Sequence, residues 1–134
     1  MASNDTVDSK KVAVKDGLAE SRAMIAAARK ALDERENFEY GNLKLEEEFY
    51  ELGLFTKHQR FVAVDCALHE IKPEGRCGPD PPGNISFRPY MGRTLYAFKW
   101  HSSDFKSLMY IKFCLAGTTG SEILVLYSFH KDRP

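Results

Sequence analysis

The residues of this chain best suited to chemistry lie in its last quarter. Tyr110 and Lys112 occupy alternate positions in the segment 109–115. Ser128, His130, Lys131 and Arg133 follow in the run that ends the chain. An unperturbed imidazole titrates at about 6.5, so His130 is suited to taking up and giving back a proton near neutral pH. Lys112, Lys131 and Arg133 can hold a phosphate through charge-assisted hydrogen bonds. His101 is the second candidate proton carrier. The plain alternative is a sheet tyrosine that packs half-buried with a wet hydroxyl, next to a solvated His-Lys-Asp-Arg tail.

Three segments must position these groups. Residues 94–100, 109–115 and 123–130 read as strands, the last two flanking a Gly-rich turn at 116–121 that signals a hairpin. In the middle strand Met109, Ile111, Phe113 and Leu115 share one face, and Tyr110, Lys112 and Cys114 share the other. The apolar face calls for a covering helix, so Ile111, Phe113 and Val125 or its neighbours are expected beneath residues 18–36. His101 then falls in the loop after the first strand.

The 134 residues, 28% charged and 43% hydrophobic, fit one soluble domain with a single core. No apolar run is long enough to span a bilayer and the first residues carry no hydrophobic signal region, so a cytoplasmic protein without a membrane partner is expected. Cys66, Cys77 and Cys114 share no close spacing, which fits free thiols better than a disulfide framework or a zinc site. No metal or other cofactor is expected. Charge is uneven: residues 1–53 hold 8 Lys/Arg against 12 Asp/Glu, and residues 54–134 hold 11 against 7. A basic second part can leave a positive surface over the sheet.

Residues 1–8 are small, polar and acidic and read as frayed. Leu18, Ile25 and Leu32 recur every seven positions with Met24 and Ala28 beside them, which predicts a helix firm over residues 18–36 and weakened at Gly17. Residues 37–40 read as a short edge strand. A helix over 43–52 follows, with Gly53 as its left-handed stop. Its Glu46-Glu47-Glu48 cluster suits the positive end of the helix dipole better than paired-carboxylate catalysis. Thr56-Lys-His-Gln59 matches a capping box, and Phe61, Val64, Leu68 and Ile71 keep helical spacing up to the stop at Lys72-Pro73, although Val62 and Val64 leave a strand open. Residues 73–93 form a long Pro- and Gly-rich loop. It carries Arg76, Arg88, Arg93, Phe87 and Tyr90, a mixture able to hold single-stranded nucleic acid by charge and stacking or to tuck back on the core.

Helices first and a three-stranded (or slightly larger) antiparallel meander last, with Glu51-Leu-Gly-Leu54 after a short helix, resembles the RelE-like RNA-cleaving toxins, closest to the motility quorum-sensing regulator (MqsR) branch. The specific likeness lies in Met109-Tyr-Ile-Lys-Phe113 and Ile123-Leu-Val-Leu-Tyr-Ser-Phe129, within a span from Phe38 to Lys131. The resemblance implies an α+β fold and the toxin of a type II toxin–antitoxin system, an mRNA endoribonuclease (RNA interferase) held in check by a cognate antitoxin. The family's strand tyrosine falls on Tyr110, and the lysine that ends its helical region falls on Lys72. His130 stands where the family has lysine, and Ala97 near where it has glutamine.

Such cleavage needs a base for the ribose 2′-hydroxyl, cations for the charged phosphorane and an acid for the leaving oxygen, with no metal required. His130, Tyr110, Lys112, Lys72 and His101 are the catalytic candidates; Arg76, Arg88, Arg93, Lys131 and Arg133 are the RNA and phosphate contacts. An antitoxin is expected on the acidic helix 43–52 and the open sheet edge. Neutral net charge and Ala97 keep a second reading open, a non-catalytic interaction protein: an inactive relative, or an immunity or adaptor partner. A third reading, a small-ligand domain, has no Gly-rich phosphate loop behind it.

Overall fold

The computed structural model describes residues 2–77, 93–118 and 120–133, with side chains from residue 17 onward. Its elements are α1 (Ala2–Arg35), β1 (Glu39–Tyr40), α2 (Leu45–Glu51), α3 (Lys57–Glu70), a 3-10 turn at Pro73–Gly75, β2 (Tyr96–Ser102), β3 (Ser107–Thr118) and β4 (Ser121–Lys131). The fold is α+β, helices preceding a sheet of order β1-β4-β3-β2. No helix among the described residues is long and apolar enough to cross a membrane.

Strands β2, β3 and β4 form the expected antiparallel meander. The pairing of β3 with β4 extends to Thr118 opposite Ser121, so Ala116 and Gly117 belong to the strand rather than the turn. Strand β1 corrects the all-antiparallel expectation, because it runs parallel to β4, pairing Glu39 with Val125 and Tyr40 with Leu126. A parallel partner requires a long crossover, and α2, α3, β2 and β3 supply it.

The helices follow their local chemistry. Helix α1 starts well ahead of residue 18: one glycine costs a helix about 1 kcal/mol, too little to end an Ala- and Lys-rich run. Ser21, Ile25, Ala28 and Leu32, at helical spacing, form its buried stripe. Gly53 has φ 77 just past α2, in the left-handed region. The capping box of α3 is complete: the Gln59 amide donates to Thr56 Oγ1 at 3.1 Å, and the Thr56 amide donates to Gln59 Oε1 at 3.0 Å. That settles residues 57–70 as helix. Of the long loop, residues 78–92 lie outside the described residues, and with them Phe87, Arg88 and Tyr90.

The core lies between the helices and one face of the sheet. Phe98 and Trp100 of β2, Met109, Ile111 and Phe113 of β3, and Leu124, Leu126 and Phe129 of β4 are buried against Ile25, Leu32, Phe49, Val64 and Leu68. Of Val125 and its neighbours it is Leu124 and Leu126 that enter this layer, while Val125 packs on the other face with Leu95, Cys114, Ala116 and Tyr127. Beyond Leu126 the phase switches. Lys112 pairs with Ser128 while Phe113 pairs with Leu126, so Tyr127 is the extra residue of a β-bulge. Core positions on β4 therefore run 124, 126, 129. Gly41 makes room for the displaced ring: a Cβ there would come within 2.5 Å of Tyr127 Cζ.

Phe129 sits at the centre of the aromatic core, its ring centroid 5.7 Å from Phe49, 5.9 Å from Trp100 and 6.3 Å from Phe105. Truncating a fully buried phenylalanine removes its transfer energy and leaves a cavity. Phe129→Ala is therefore expected to cost about 3–5 kcal/mol in urea unfolding, whereas Phe55→Ala, at an exposed site, stays within about 0.5 kcal/mol.

Candidate functional site

The bulge assembles a row of functional groups on the sheet face turned away from the helices. Lys99, Tyr110 and His130 are directly opposed across β2, β3 and β4, and Ala97, Lys112 and Ser128 form the next row. The His130 and Tyr110 rings stack at 5.1 Å with 21° between their planes. The His130 Nδ1 lies 2.7 Å from the Lys131 carbonyl. A carbonyl oxygen can only accept, so Nδ1 carries the proton, and in the neutral ring Nε2 is the free lone pair.

What faces Nε2 is Glu48. Its side chain is only 9% exposed; Oε1 accepts the Phe129 amide at 2.9 Å, and Oε2 lies 4.0 Å from His130 Nε2 and 3.7 Å from Arg133 Nη2. Strand β1 pairs only as far as Leu126, so the outer edge of β4 beyond it would expose its amides; α2 covers that edge, and Glu48 accepts one of them. Lys99 Nζ lies 3.2 Å from Asp132 Oδ1, anchoring the end of the chain over the row. Glu48, Glu51, Leu52, His130, Lys131, Asp132 and Arg133 line a cavity of about 290 Å³ beside it.

The expected site residues are therefore only partly gathered. Tyr110, Lys112, Ser128 and His130 share the face, with Lys131 and Arg133 at its rim. His101 belongs to β2 itself rather than to a loop: it pairs with Leu108, one row beyond Lys99, on the same face. Lys72 lies past the end of α3, as the residue that leads into the 3-10 turn at Pro73–Gly75, outside the row of Lys99, Tyr110 and His130. Arg76, expected to bind phosphate, is committed elsewhere. Its guanidinium lies 4.9 Å from the Tyr96 ring centroid, 3.2 Å from Ser21 Oγ and 3.6 Å from Glu20. Arg93 approaches the Gly117 carbonyl, seven residues along β3 from Tyr110 and so roughly 20 Å away.

Glu48, Lys99 and Asp132 were not among the sequence candidates. Glu46–Glu48 read as a dipole cluster, yet each has its own fate: Glu46 pairs with Arg60 at 2.8 Å while Glu48 turns to the sheet edge. Among the described residues no group of three or more His, Cys, Asp or Glu is arranged to hold a metal ion. Compared with protein-family models, curated proteins and solved structures, the chain matches none.

The same sheet face is apolar at its other end, where Cys114 and Tyr127 are buried together. Burial pushes the Cys114 thiol up to about 11 and raises the Tyr127 phenol as well. Among the described residues the Cys114 thiol is the one group beside the buried Tyr127 hydroxyl able to meet it. For an acid whose folded pKa is raised, the fold favours the neutral form. That stabilisation is complete below the unfolded value near 9 and is lost as pH climbs through 9 towards 11. The urea midpoint of the wild type should fall over that range, and Cys114→Ala should flatten part of the fall.

Proposed function

We propose that the protein is an endoribonuclease that cleaves RNA through attack of a ribose 2′-hydroxyl on the adjacent phosphate, and acts as the mRNA-cleaving toxin of a toxin–antitoxin pair. The observation that carries the reading is the His130–Glu48 gap. At 4.0 Å, Nε2 and Oε2 are too far apart to bond each other, so the Nε2 lone pair is left to accept the single proton of a hydroxyl, and the carboxylate then faces the imidazolium that forms. A 2′-hydroxyl held there gives its proton to Nε2 while its oxygen forms the new bond to phosphorus. The phosphorus–5′-oxygen bond breaks, and the 5′-oxygen leaves with a proton from solvent. Tyr110, stacked on the imidazole, fixes the plane of the ring. Lys112, on the next row, and Arg133, at the rim, are the cations for the developing phosphorane charge. An antitoxin would inhibit by covering this face or the edge that α2 guards.

The second reading, a non-catalytic interaction protein, draws on a different observation. Tyr50 and Phe55 are each 58% exposed and stand 5.1 Å apart, with Val62 also exposed on α3. Such a patch suits a protein partner and needs no row of catalytic groups.

Purified protein and a labelled mRNA separate the two. Loss of a general acid–base group should lower cleavage by about 10²–10⁴-fold in His130→Gln, with a folding cost of about 1 kcal/mol or less. Tyr110→Phe should cost less, because the ring and its stacking survive. Wild-type protein that leaves RNA intact, and whose induced expression leaves growth and mRNA unaffected, sinks the toxin reading and leaves the interaction protein.

A further inference from the structure

A second cavity, of about 550 Å³, lies where the end of α1, the start of α3 and β1 meet. One wall is aromatic: Phe38 and Tyr40 stack at 5.5 Å with only 17° between their planes, and Phe61 of α3 also lines the space. Two rings stacked on each other leave an outer face on which a third flat ring can continue the stack.

The charged lining is mainly basic. Arg35, Lys57, His58 and Arg60 contribute to it, against a single carboxylate, that of Glu36. Arg60 is neutralised, since Glu46 takes its Nη1 at 2.8 Å, and Tyr40 and the Leu54 carbonyl take further donors. Arg35 is held but not neutralised. Its Nε donates to the Glu122 carbonyl at 2.9 Å and its Nη2 to the Ser121 carbonyl and hydroxyl, all uncharged acceptors. Lys57 and His58 are exposed in the first turn of α3, the end at which the helix dipole favours an anion.

From this combination we infer that the cavity is a binding site for an aromatic ring bearing a phosphate, that is, a nucleoside monophosphate. The base stacks on the Phe38–Tyr40 wall, and the phosphate is held by Lys57 and Arg35 at the start of α3. The same chemistry is offered by a free nucleotide and by one nucleotide of a longer chain. The inference does not rest on the cleavage reading, because none of these residues belongs to the His130 row.

The test is calorimetric titration of the full chain with adenosine 5′-monophosphate, with adenosine alone, with inorganic phosphate alone and with a short all-deoxy oligonucleotide. Adenosine 5′-monophosphate should bind more tightly than either of its parts. Lys57→Glu should weaken it about tenfold, the loss expected for one charge-assisted contact. That variant should stay folded, because position 57 is exposed and a carboxylate is favoured at a helix start. Tighter binding of the oligonucleotide than of the free nucleotide would assign the site to a polynucleotide chain; the reverse would assign it to the free nucleotide. Absence of saturable binding at concentrations on the order of 10 mM, which corresponds to about 2.7 kcal/mol, overturns the inference. So does binding that Lys57→Glu leaves unchanged.

Discussion

Burial of Phe129 is the constraint on which the rest of the sheet depends. Its ring meets Phe49 of α2, Trp100 of β2 and Phe105 of the β2–β3 turn, so three separate parts of the chain converge on it. Leu126, three residues earlier, is buried in the same layer, and strict alternation cannot place both. The bulge at Tyr127 resolves the conflict. With Phe129 pinned inward, Ser128 and His130 must face the other way, opposite Lys112 and Tyr110. The position of the candidate chemistry is thus fixed by apolar packing on the opposite side of the sheet.

The bulge has its own consequences, and each is answered locally. It sends Tyr127 outward, and Gly41 leaves the space that the ring fills. Strand β1 stops pairing at Leu126, and Glu48 reaches from α2 to take the Phe129 amide that follows. A carboxylate buried to this degree needs compensation. It finds it in that amide and in the approach of Arg133. Edge protection and site assembly are therefore the work of one side chain.

Much of this was legible in the sequence wherever the signal was local. Thr56 and Gln59 announced the start of α3, Gly53 the end of α2, and the alternation from Met109 to Leu115 correctly divided the core face from the outer face of β3. Tyr110, Lys112, Ser128 and His130 were legible as one cluster for the same reason. What escaped depended on contacts distant in sequence. The bulge that breaks the alternation of β4 between Leu126 and Phe129 answers a demand set by Phe49 and Trp100, which no window around residue 127 contains. Glu48 lies 81 residues from the amide that it accepts. Lys99 and Asp132 become neighbours only once β2 and the chain end lie against β3. The parallel course of β1 likewise follows from its crossover, and a two-residue strand carries no direction of its own.

The link between Glu48 and the site side of β4 is best tested by amide hydrogen exchange at Phe129, compared between the wild type and Glu48→Ala. If Glu48 locks the edge of β4, the Phe129 amide is protected in the wild type. It should exchange about tenfold faster in the variant, the factor expected for loss of a hydrogen bond worth about 1.4 kcal/mol, while amides bonded between β3 and β4 keep their rates. Equal protection of Phe129 in the two proteins would mean that something other than Glu48 holds the edge, and would contradict this account of how His130 is set in place.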